Sequence, residues 1–246
     1  MALTALAGNG HHDDHPLFIR SDGSSVHDGE HGGGAPLSAG GTLFYGGDFD
    51  FRAALNDERS NYRGLTGVYE NFIVPEGGWH INAVFVNAFF NYQSAGADFE
   101  IRSGVSAGNG GTLLFSGFGR PSTQQPTGRS WQGFEERTLT ISDLDIELEP
   151  GEYWLMVRPV TFSCGGGWLL GRAGTTSGAN GIGGPLGDGR SYFNGYGRNF
   201  APTSDLLGAG TWDFSYGVQG VPEPMTWMAL GTGMAVLLRR RRGRAR

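Results

Sequence analysis

The sequence predicts an all-β protein, an antiparallel two-sheet sandwich of jelly-roll-like form with a short hydrophobic helix at the C-terminus. Short runs rich in β-branched and aromatic residues recur from about residue 43 onward, and clusters of glycine, proline and asparagine separate them. No helical pattern stands between the runs at the spacing that parallel strands require, so antiparallel pairing is expected. Glycine accounts for 45 of the 246 residues and aromatic residues for 12%. Because disordered chains are poor in aromatic residues, the glycine is expected in the turns of a folded domain.

Eleven segments carry the strand pattern, and two of them indicate how the sheets are layered. Residues 80–90 are apolar on both faces towards the end of the segment, which predicts a central strand. In residues 152–160, Tyr153, Leu155 and Val157 share one face, as expected of a half-buried strand. The other predicted strands are 43–45, 67–74, 98–102, 112–116, 137–141, 145–148, 168–170, 191–193 and 211–218. Residues 51–59 (FRAALNDER) are the one segment that could form a helical turn or two.

The chain divides into four predicted regions. Residues 1–7 end in an Ala-x-Ala pattern and are predicted to be the remnant of a secretory signal peptide whose true start lies upstream. Residues 8–40 hold five of the six histidines and are predicted to be a disordered leader rich in histidine and glycine. Imidazole and carboxylate groups can bind transition metals, but this spacing selects no tetrahedral site. Residues 41–220 form the predicted β-sandwich ectodomain, and residues 221–246 form a C-terminal segment of different composition.

The charge pattern argues against two classes of function. The chain has no lysine, and residues 1–224 carry 12 arginines against 24 acidic residues, a formal charge of −12. Such an acidic surface disfavours binding to nucleic acid, and it is compatible with bound divalent cations. A phosphate-binding loop of the Walker type needs a lysine and is therefore excluded. The single cysteine, Cys164, cannot form an intrachain disulfide.

The C-terminal segment contains three parts in order. The first part is a motif of four residues, Val221, Pro222, Glu223 and Pro224. The last part is a basic cytoplasmic anchor, Arg239, Arg240, Arg241 and Arg242. The prolines restrict φ and lack an N–H group, so the motif is predicted to be an exposed, extended connector outside any strand ladder. The apolar run between them, residues 225–238, has fourteen residues. As a helix it would be about 21 Å long against a hydrocarbon core of about 30 Å, which makes the predicted membrane span marginal.

This order of Val221-Pro222-Glu223-Pro224, apolar run and arginine cluster resembles the PEP-CTERM sorting signal of bacteria. The resemblance implies transient anchoring in the inner membrane and cleavage near the Pro-Glu-Pro tripeptide by an exosortase. It also implies delivery to the cell surface or to an extracellular polysaccharide matrix. Phrases such as LEPGEYW at residues 148–154 are similar to the β-sandwich ectodomains found ahead of such tails, which mostly lack an assigned activity. The resemblance therefore predicts a destination and leaves the action there open.

Candidate catalytic and metal-binding groups are few. His80 is the one histidine outside the leader, and its place in a predicted strand favours a structural role over that of a general base. Carboxylates alternate with other residues in two places, so that each set is predicted to share one strand face; they are Asp48, Asp50, Asp143, Asp145, Glu147 and Glu149. Asp143 and Asp145 are weak candidates for Ca²⁺, but no EF-hand-type loop is present and a solvated acidic face is the preferred interpretation. No other cofactor is predicted. A hydrolase would need two of these carboxylates across a cleft.

Aromatic residues beside the glycine-rich loops suggest a carbohydrate-binding surface, because exposed rings can stack on the faces of sugars. The candidates are Trp79, Trp131, Trp168, Tyr192 and Tyr196. Aromatic residues in such positions also cap the core of a β-sandwich, and this is the preferred interpretation.

These observations predict an exported surface or extracellular-matrix protein with a structural or adhesive role and no catalytic activity. A carbohydrate-binding module acting on an exopolysaccharide or other glycan is the alternative, and a carboxylate-dependent hydrolase comes third. The expected partners are an exosortase and the membrane during sorting, and extracellular polysaccharide at the destination. Nucleic acid is not an expected partner.

Overall fold

A computed structural model describes a short strand at residues 18–20 and the residues 41–60, 64–90, 92–161 and 171–222. Several predictions fall outside the described residues: the signal-peptide remnant, most of the leader, the strand at 168–170 with Trp168, and residues 223–246 with Glu223, Pro224 and the arginine anchor. The C-terminal hydrophobic helix therefore stays a prediction.

The described residues form eighteen β-strands and one short helix, α1 (Thr203–Leu207). The strands are β1 (Phe18–Arg20), β2 (Thr42–Tyr45), β3 (Phe49–Asn56), β4 (Arg59–Ser60), β5 (Gly64–Leu65), β6 (Gly67–Val74), β7 (Trp79–Phe90), β8 (Gly96–Ser103), β9 (Thr112–Arg120), β10 (Thr123–Trp131), β11 (Phe134–Ile141), β12 (Ile146–Leu148), β13 (Gly151–Thr161), β14 (Gly171–Thr176), β15 (Tyr192–Gly195), β16 (Arg198–Pro202), β17 (Asp213–Phe214) and β18 (Tyr216–Pro222). Among the described pairings, only the two-residue contact between β13 and β4 is parallel. The all-β, antiparallel prediction is confirmed.

The larger sheet has ten strands and is organised around β7, the longest strand described. One edge of β7 pairs with β18 and β14, and the other edge pairs with β11 and β12. β11 continues to β10, while β14 continues to β3 and β1. The prediction of a central strand at residues 80–90 is therefore confirmed.

The second sheet has eight strands and is organised around β13. One edge of β13 pairs with β8, which in turn pairs with β9. The other edge pairs with β6 and β4, and β6 continues to the hairpin of β15 and β16. Within the described residues β9 pairs with β8 alone, so β9 is an edge strand of this sheet.

Both sheets contribute to one buried hydrophobic core, as expected of a β-sandwich. In β7 the core-facing residues change phase between Ile81 and Val84, because the register of β18 against β7 shifts at this point. The core side chains of the central strands are Trp79, Ile81, Val84, Val86, Ala88 and Phe90 in β7, and Tyr153, Leu155 and Val157 in β13. Burial of Tyr153, Leu155 and Val157 on one face matches the predicted alternation.

The main corrections to the predicted elements concern residues 51–59 and the last strand. Residues 51–59 do not form a helical turn, because Ala54 and Leu55 pair with β14 as part of the strand β3. The last strand does not end at residue 218, since β18 continues to Pro222 and pairs Val221 with His80. The predicted domain boundary at residue 220 therefore cuts through the last strand.

The predicted connector around Val221 and Pro222 is also corrected by this pairing. Both residues are exposed, as predicted, and Val221 retains 45% of its accessible surface. They nevertheless belong to the strand ladder beside β7. A proline is tolerated here because β2 pairs only with residues 217–219 of β18, so that among the described strands Pro222 has a neighbour, β7, on one edge only.

Candidate functional site

Trp79 and Trp131, two of the predicted sugar-binding residues, are buried. Trp79 is 5% exposed and stacks on Phe72 with a centroid distance of 6.0 Å. Trp131 is also 5% exposed, and its ring lies 5.1 Å from that of Phe49. Neither ring offers an open face to a sugar, so their burial agrees with the preferred interpretation that these aromatic residues cap the core, and not with the sugar-binding one.

Tyr192 and Tyr196 lie on the hairpin of β15 and β16, and they differ in exposure. Tyr192 is half-buried and packs 6.4 Å from the ring of Trp154. Trp154 is only 2% exposed, and the guanidinium group of Arg190 lies 5.4 Å from its ring, so Trp154 adds no open ring face beside Tyr192. Tyr196 is 41% exposed. The predicted aromatic residues therefore form no common surface within the part of the chain that is described.

Asp48 belongs to an ion-pair network on the outer face of the ten-stranded sheet. Its carboxylate accepts hydrogen bonds from the Tyr45 hydroxyl at 2.6 Å and the Asn180 amide at 2.8 Å, and lies 3.2 Å from Arg129 Nη1. Arg129 also binds Glu136, whose pKa is raised by burial. Arg129 and Glu136 are buried, so this pair of carboxylates is not open to a substrate and stabilises the sheet instead.

Two other predicted carboxylates have protein partners. Asp50 accepts hydrogen bonds from Arg52 Nε and from the Thr175 hydroxyl, both at 2.6 Å. Asp145 lies 2.7 Å from His80 Nε2, across the pairing of β12 with β7. Within the described residues, no group of three or more His, Cys, Asp or Glu side chains is placed to hold a metal ion. The calcium candidates belong to no such group.

Four carboxyl groups in the interior have raised pKa values, and they are Asp57, Glu70, Glu136 and Asp213. Burial raises the pKa of Asp57 from 3.8 to about 7, although the Tyr216 hydroxyl donates a hydrogen bond to it at 2.6 Å. Burial and then the charge of Asp213 raise the pKa of Glu70 well above its ordinary value. All four side chains are almost fully enclosed, so they affect stability rather than a reaction at the surface.

An open depression of about 180 Å³ lies where the connection from β9 to β10 meets the connection from β11 to β12. Its lining consists of Arg120, Pro121, Ser122, Thr123, Ser142 and Asp143. Because β9 belongs to the eight-stranded sheet and β10 and β11 to the ten-stranded sheet, both layers of the sandwich contribute to the depression.

The connection from β9 to β10 is held at both ends. The Gly119 N–H donates to the buried carboxylate of Asp98 at 2.8 Å, which positions the residue before Arg120. The side chain of Gln124 accepts from the Ser94 N–H at 3.0 Å and donates to the Ser94 carbonyl at 2.8 Å. These hydrogen bonds fix the position of the segment from Arg120 to Gln124.

The connection from β11 to β12 is held in a similar way. The Leu144 N–H donates to the Asn82 carbonyl of β7 at 3.0 Å. Asp143 adopts the left-handed conformation with φ of 58°, which Asp tolerates better than most residues. Asp143 and Ser142 thus lie at a defined turn beside the start of β10.

The depression combines opposite charges with hydroxyl groups. Among the described residues, the Arg120 guanidinium and the Asp143 carboxylate form no ion pair with each other or with a third residue. Arg120 Nε and Ser122 Oγ are buried and have no hydrogen-bond partner. Such a lining can bind a small polar ligand that has both acceptors and donors.

Sequence analysis identified only Asp143 among these lining residues. The others were missed because Arg120 and Ser142 are far apart in the chain and meet only through the pairing of β10 with β11, Thr123 opposite Thr140. The one local signal was the Pro121-Ser122 turn directly after an arginine.

No helix in the described part of the chain is long and apolar enough to cross a bilayer, and the predicted span at residues 225–238 lies outside that part. Comparison with protein-family models, with curated proteins and with solved structures finds no match to this chain. The residues and their geometry therefore carry the functional inference.

Proposed function

We propose that this protein is an exported surface or extracellular-matrix protein with a structural or adhesive role, sorted by an exosortase through its C-terminal segment. The PEP-CTERM-like order of residues 221–246 supports the sorting part of the proposal. The end of β18 at Pro222 adds a structural constraint, because cleavage beyond Pro222 would leave every described strand intact. A jelly-roll-like topology and a hydrophobic C-terminal helix belong to the same proposal.

The adhesive role is carried by one observation, the exposed edge strand β9. Its first eight residues, 112–119, contain neither a charged residue nor a proline. Three large apolar side chains on it are exposed: Leu113 by 43%, Leu114 by 40% and Phe118 by 59%. Natural edge strands usually carry charges, prolines or bulges that prevent pairing with another chain. β9 carries one charge, that of Arg120 at its end, and its register against β8 shifts twice, so residues 112–119 themselves have neither a charge nor a proline to protect them.

The proposed partner of β9 is a second copy of the same chain. Residues 112–119 carry no charge and therefore present no like-charge repulsion to a second copy of themselves, whereas the acidic remainder of the domain does. Pairing of two β9 strands would bury the apolar side chains and satisfy the open backbone groups.

Replacing Phe118 tests the adhesive role. Phe118→Arg places a charge on the edge strand, so self-association measured by analytical ultracentrifugation is expected to fall several-fold. The melting temperature should not change, because Phe118 is 59% exposed. Leu65→Arg is the matched control, since Leu65 is 52% exposed on another short edge strand. Equal effects of the two substitutions, or none from Phe118→Arg, would refute the role of β9.

The sorting proposal has a separate test. The mass of the mature C-terminus is measured in host cells with and without the exosortase gene. Cleavage within or just after Pro222-Glu223-Pro224 is expected only in cells that contain the enzyme. Retention of residues 225–246 in both strains would contradict sorting by an exosortase.

Carbohydrate binding is a second candidate function. The depression with Arg120, Asp143 and its hydroxyl groups favours it, rather than the aromatic residues that the sequence indicated. Catalysis is no part of the proposal, because the interior carboxyl groups with raised pKa values are enclosed.

A further inference from the structure

Arg120 supplies the positive charge of the depression. Most described arginines bind a carboxylate, but no acidic side chain lies within 4.0 Å of the Arg120 guanidinium in the described part of the chain. Its Nε is closed off from solvent and has no acceptor. A half-buried guanidinium without a partner among the described residues favours an anionic group of a ligand, because charge-assisted hydrogen bonds are stronger than neutral ones.

The other lining groups suit a ligand rich in hydroxyl groups. Thr123 and Ser142 each contribute a hydroxyl that can donate or accept a hydrogen bond, whereas Ser122 Oγ is enclosed. The Asp143 carboxylate can only accept, and its one donor among the described residues is the Ser142 hydroxyl at 3.5 Å, so its other lone pairs can accept from ligand hydroxyls. The ring of Pro121 adds one apolar contact.

The size of the depression limits the ligand to a small molecule. A volume of about 180 Å³ corresponds to about six water molecules at roughly 30 Å³ each. Sites for larger organic ligands usually enclose about 300–1,000 Å³. One six-membered sugar ring, with its neighbours in a polymer extending into solvent, is compatible with this space.

The charge balance favours a carboxylate over a phosphate as the anionic group. Asp143 lines the same depression as Arg120 and repels any anion bound there. Since the lining carries one positive and one negative charge, the charge of a bound anion is not neutralised overall, and a doubly charged phosphate leaves more uncompensated charge than a singly charged carboxylate.

We propose that this depression binds one residue of an acidic sugar, a hydroxyl-rich ring that carries a carboxylate, as in a hexuronic acid. Arg120 holds the carboxylate, and Asp143 with the serine and threonine hydroxyls holds the ring hydroxyls. The inference rests on the second candidate function, carbohydrate binding. It is independent of sorting and of self-association through β9.

Titration of the purified chain with glucuronate and galacturonate, and with glucose and galactose as neutral counterparts, tests the proposal. Binding followed by NMR or calorimetry at low salt is expected to favour each acidic sugar by at least about tenfold, as one charge-assisted hydrogen bond provides. The preference should shrink as salt is added, because the charges are near the surface.

Three substitutions make the test specific. Arg120→Gln is expected to abolish the preference for the acidic sugar. Asp143→Asn is expected to increase it, because the repulsion is removed and Asn also tolerates a φ of 58°. Arg198→Gln is the control, since Arg198 is an exposed arginine on β16 and should leave affinity unchanged.

The outcomes separate this proposal from carbohydrate binding in general. If Arg120→Gln does not change sugar binding, the carbohydrate-binding function stands and the proposed site is overturned. Equal affinity of the wild-type protein for acidic and neutral sugars, tighter binding of inorganic phosphate, or equal effects of Arg120→Gln and Arg198→Gln would also overturn it. Thermal melting confirms that each variant is folded, and Thr123→Val, with an expected weaker loss of affinity, replaces any variant that is not.

Discussion

Trp131 illustrates how the surroundings of one residue change its role. It lies at the end of β10, beside the hairpin turn at Gln132, where the sequence suggested an exposed ring. In the fold the hairpin brings Trp131 against Phe49 and Phe89, at 5.1 and 6.0 Å between ring centroids. This aromatic cluster covers part of the outer face of the ten-stranded sheet. Stability, rather than sugar binding, is therefore the expected contribution of Trp131.

Replacing Trp131 distinguishes these two roles. Trp131→Ala removes a buried ring, so the free energy of unfolding is expected to fall by about 3–5 kcal/mol while sugar affinity of the folded fraction is unchanged. Chemical denaturation and sugar titration measure the two quantities. Tyr196→Ala is the comparison, because Tyr196 is 41% exposed and loses only the long hydrogen bond of 3.4 Å that its hydroxyl accepts from Asn56, so stability should change by roughly 1 kcal/mol or less. A Trp131→Ala variant of unchanged stability that no longer binds sugar would instead place Trp131 in the sugar-binding surface.

At the scale of the elements, the strand β18 determines how far the chain can be shortened from its C-terminus without loss of the fold. It pairs with β7 along residues 79–86 and with β2 on its other edge. Its Tyr216 and Val218 side chains are fully buried in the core. The strand therefore joins the N-terminal part of the domain to the centre of the larger sheet.

Truncation on either side of β18 tests this dependence. A chain that ends at Pro222 is expected to unfold cooperatively, with the same melting temperature as the full-length chain. A chain that ends at Ser215 loses β18, exposes the edge of β7 and is expected to be unfolded or aggregated. Circular dichroism and size-exclusion chromatography compare the two. Cooperative unfolding of the shorter chain would show that β18 is dispensable.

Prediction of the elements from sequence depended on how strongly each strand alternates. β6, β7 and β13 were predicted because large apolar side chains recur along them. β14 was missed because Gly171–Thr176 consists mainly of small residues, although all six are buried between β3 and β7. β10 was missed because Thr123–Trp131 is mostly polar and contains a proline, and among the described strands it pairs with β11 alone. Local pattern cannot show a strand that its neighbours impose.

For the molecule as a whole, the buried carboxyl groups determine the response to pH. Asp57, Glu70, Glu136 and Asp213 all hold their protons to higher pH in the folded state than in the unfolded chain, because their pKa values are raised mainly by burial. Their stabilising effect is complete below the unfolded carboxyl pKa and is lost as pH rises through the folded value. The formal charge of −12 on residues 1–224 acts in the same direction through self-repulsion.

The free energy of unfolding is therefore expected to be highest at mildly acidic pH and to decrease towards neutral pH. For Asp57 the window extends from 3.8 to about 7, and a shift of this size corresponds to up to about 4 kcal/mol. Asp57→Asn should flatten the decrease, because the side chain no longer titrates. Denaturation at several pH values between these limits measures the slope. Asp205→Asn is the control at an exposed position. An unchanged slope in the Asp57 variant would exclude this carboxyl group as the cause.

The amino-acid sequence by itself determined the all-β class, the antiparallel pairing, the central position of residues 80–90 and the acidic, lysine-free character of the domain. These properties follow from local alternation and composition, which do not depend on distant contacts. Only the tertiary structure decided that Trp79 and Trp131 are buried, that β18 continues to Pro222, and that Arg120 and Asp143 line one depression. Each of these results depends on strand pairings between segments far apart in the chain, and the side chains of one segment do not specify which distant segment will lie beside it.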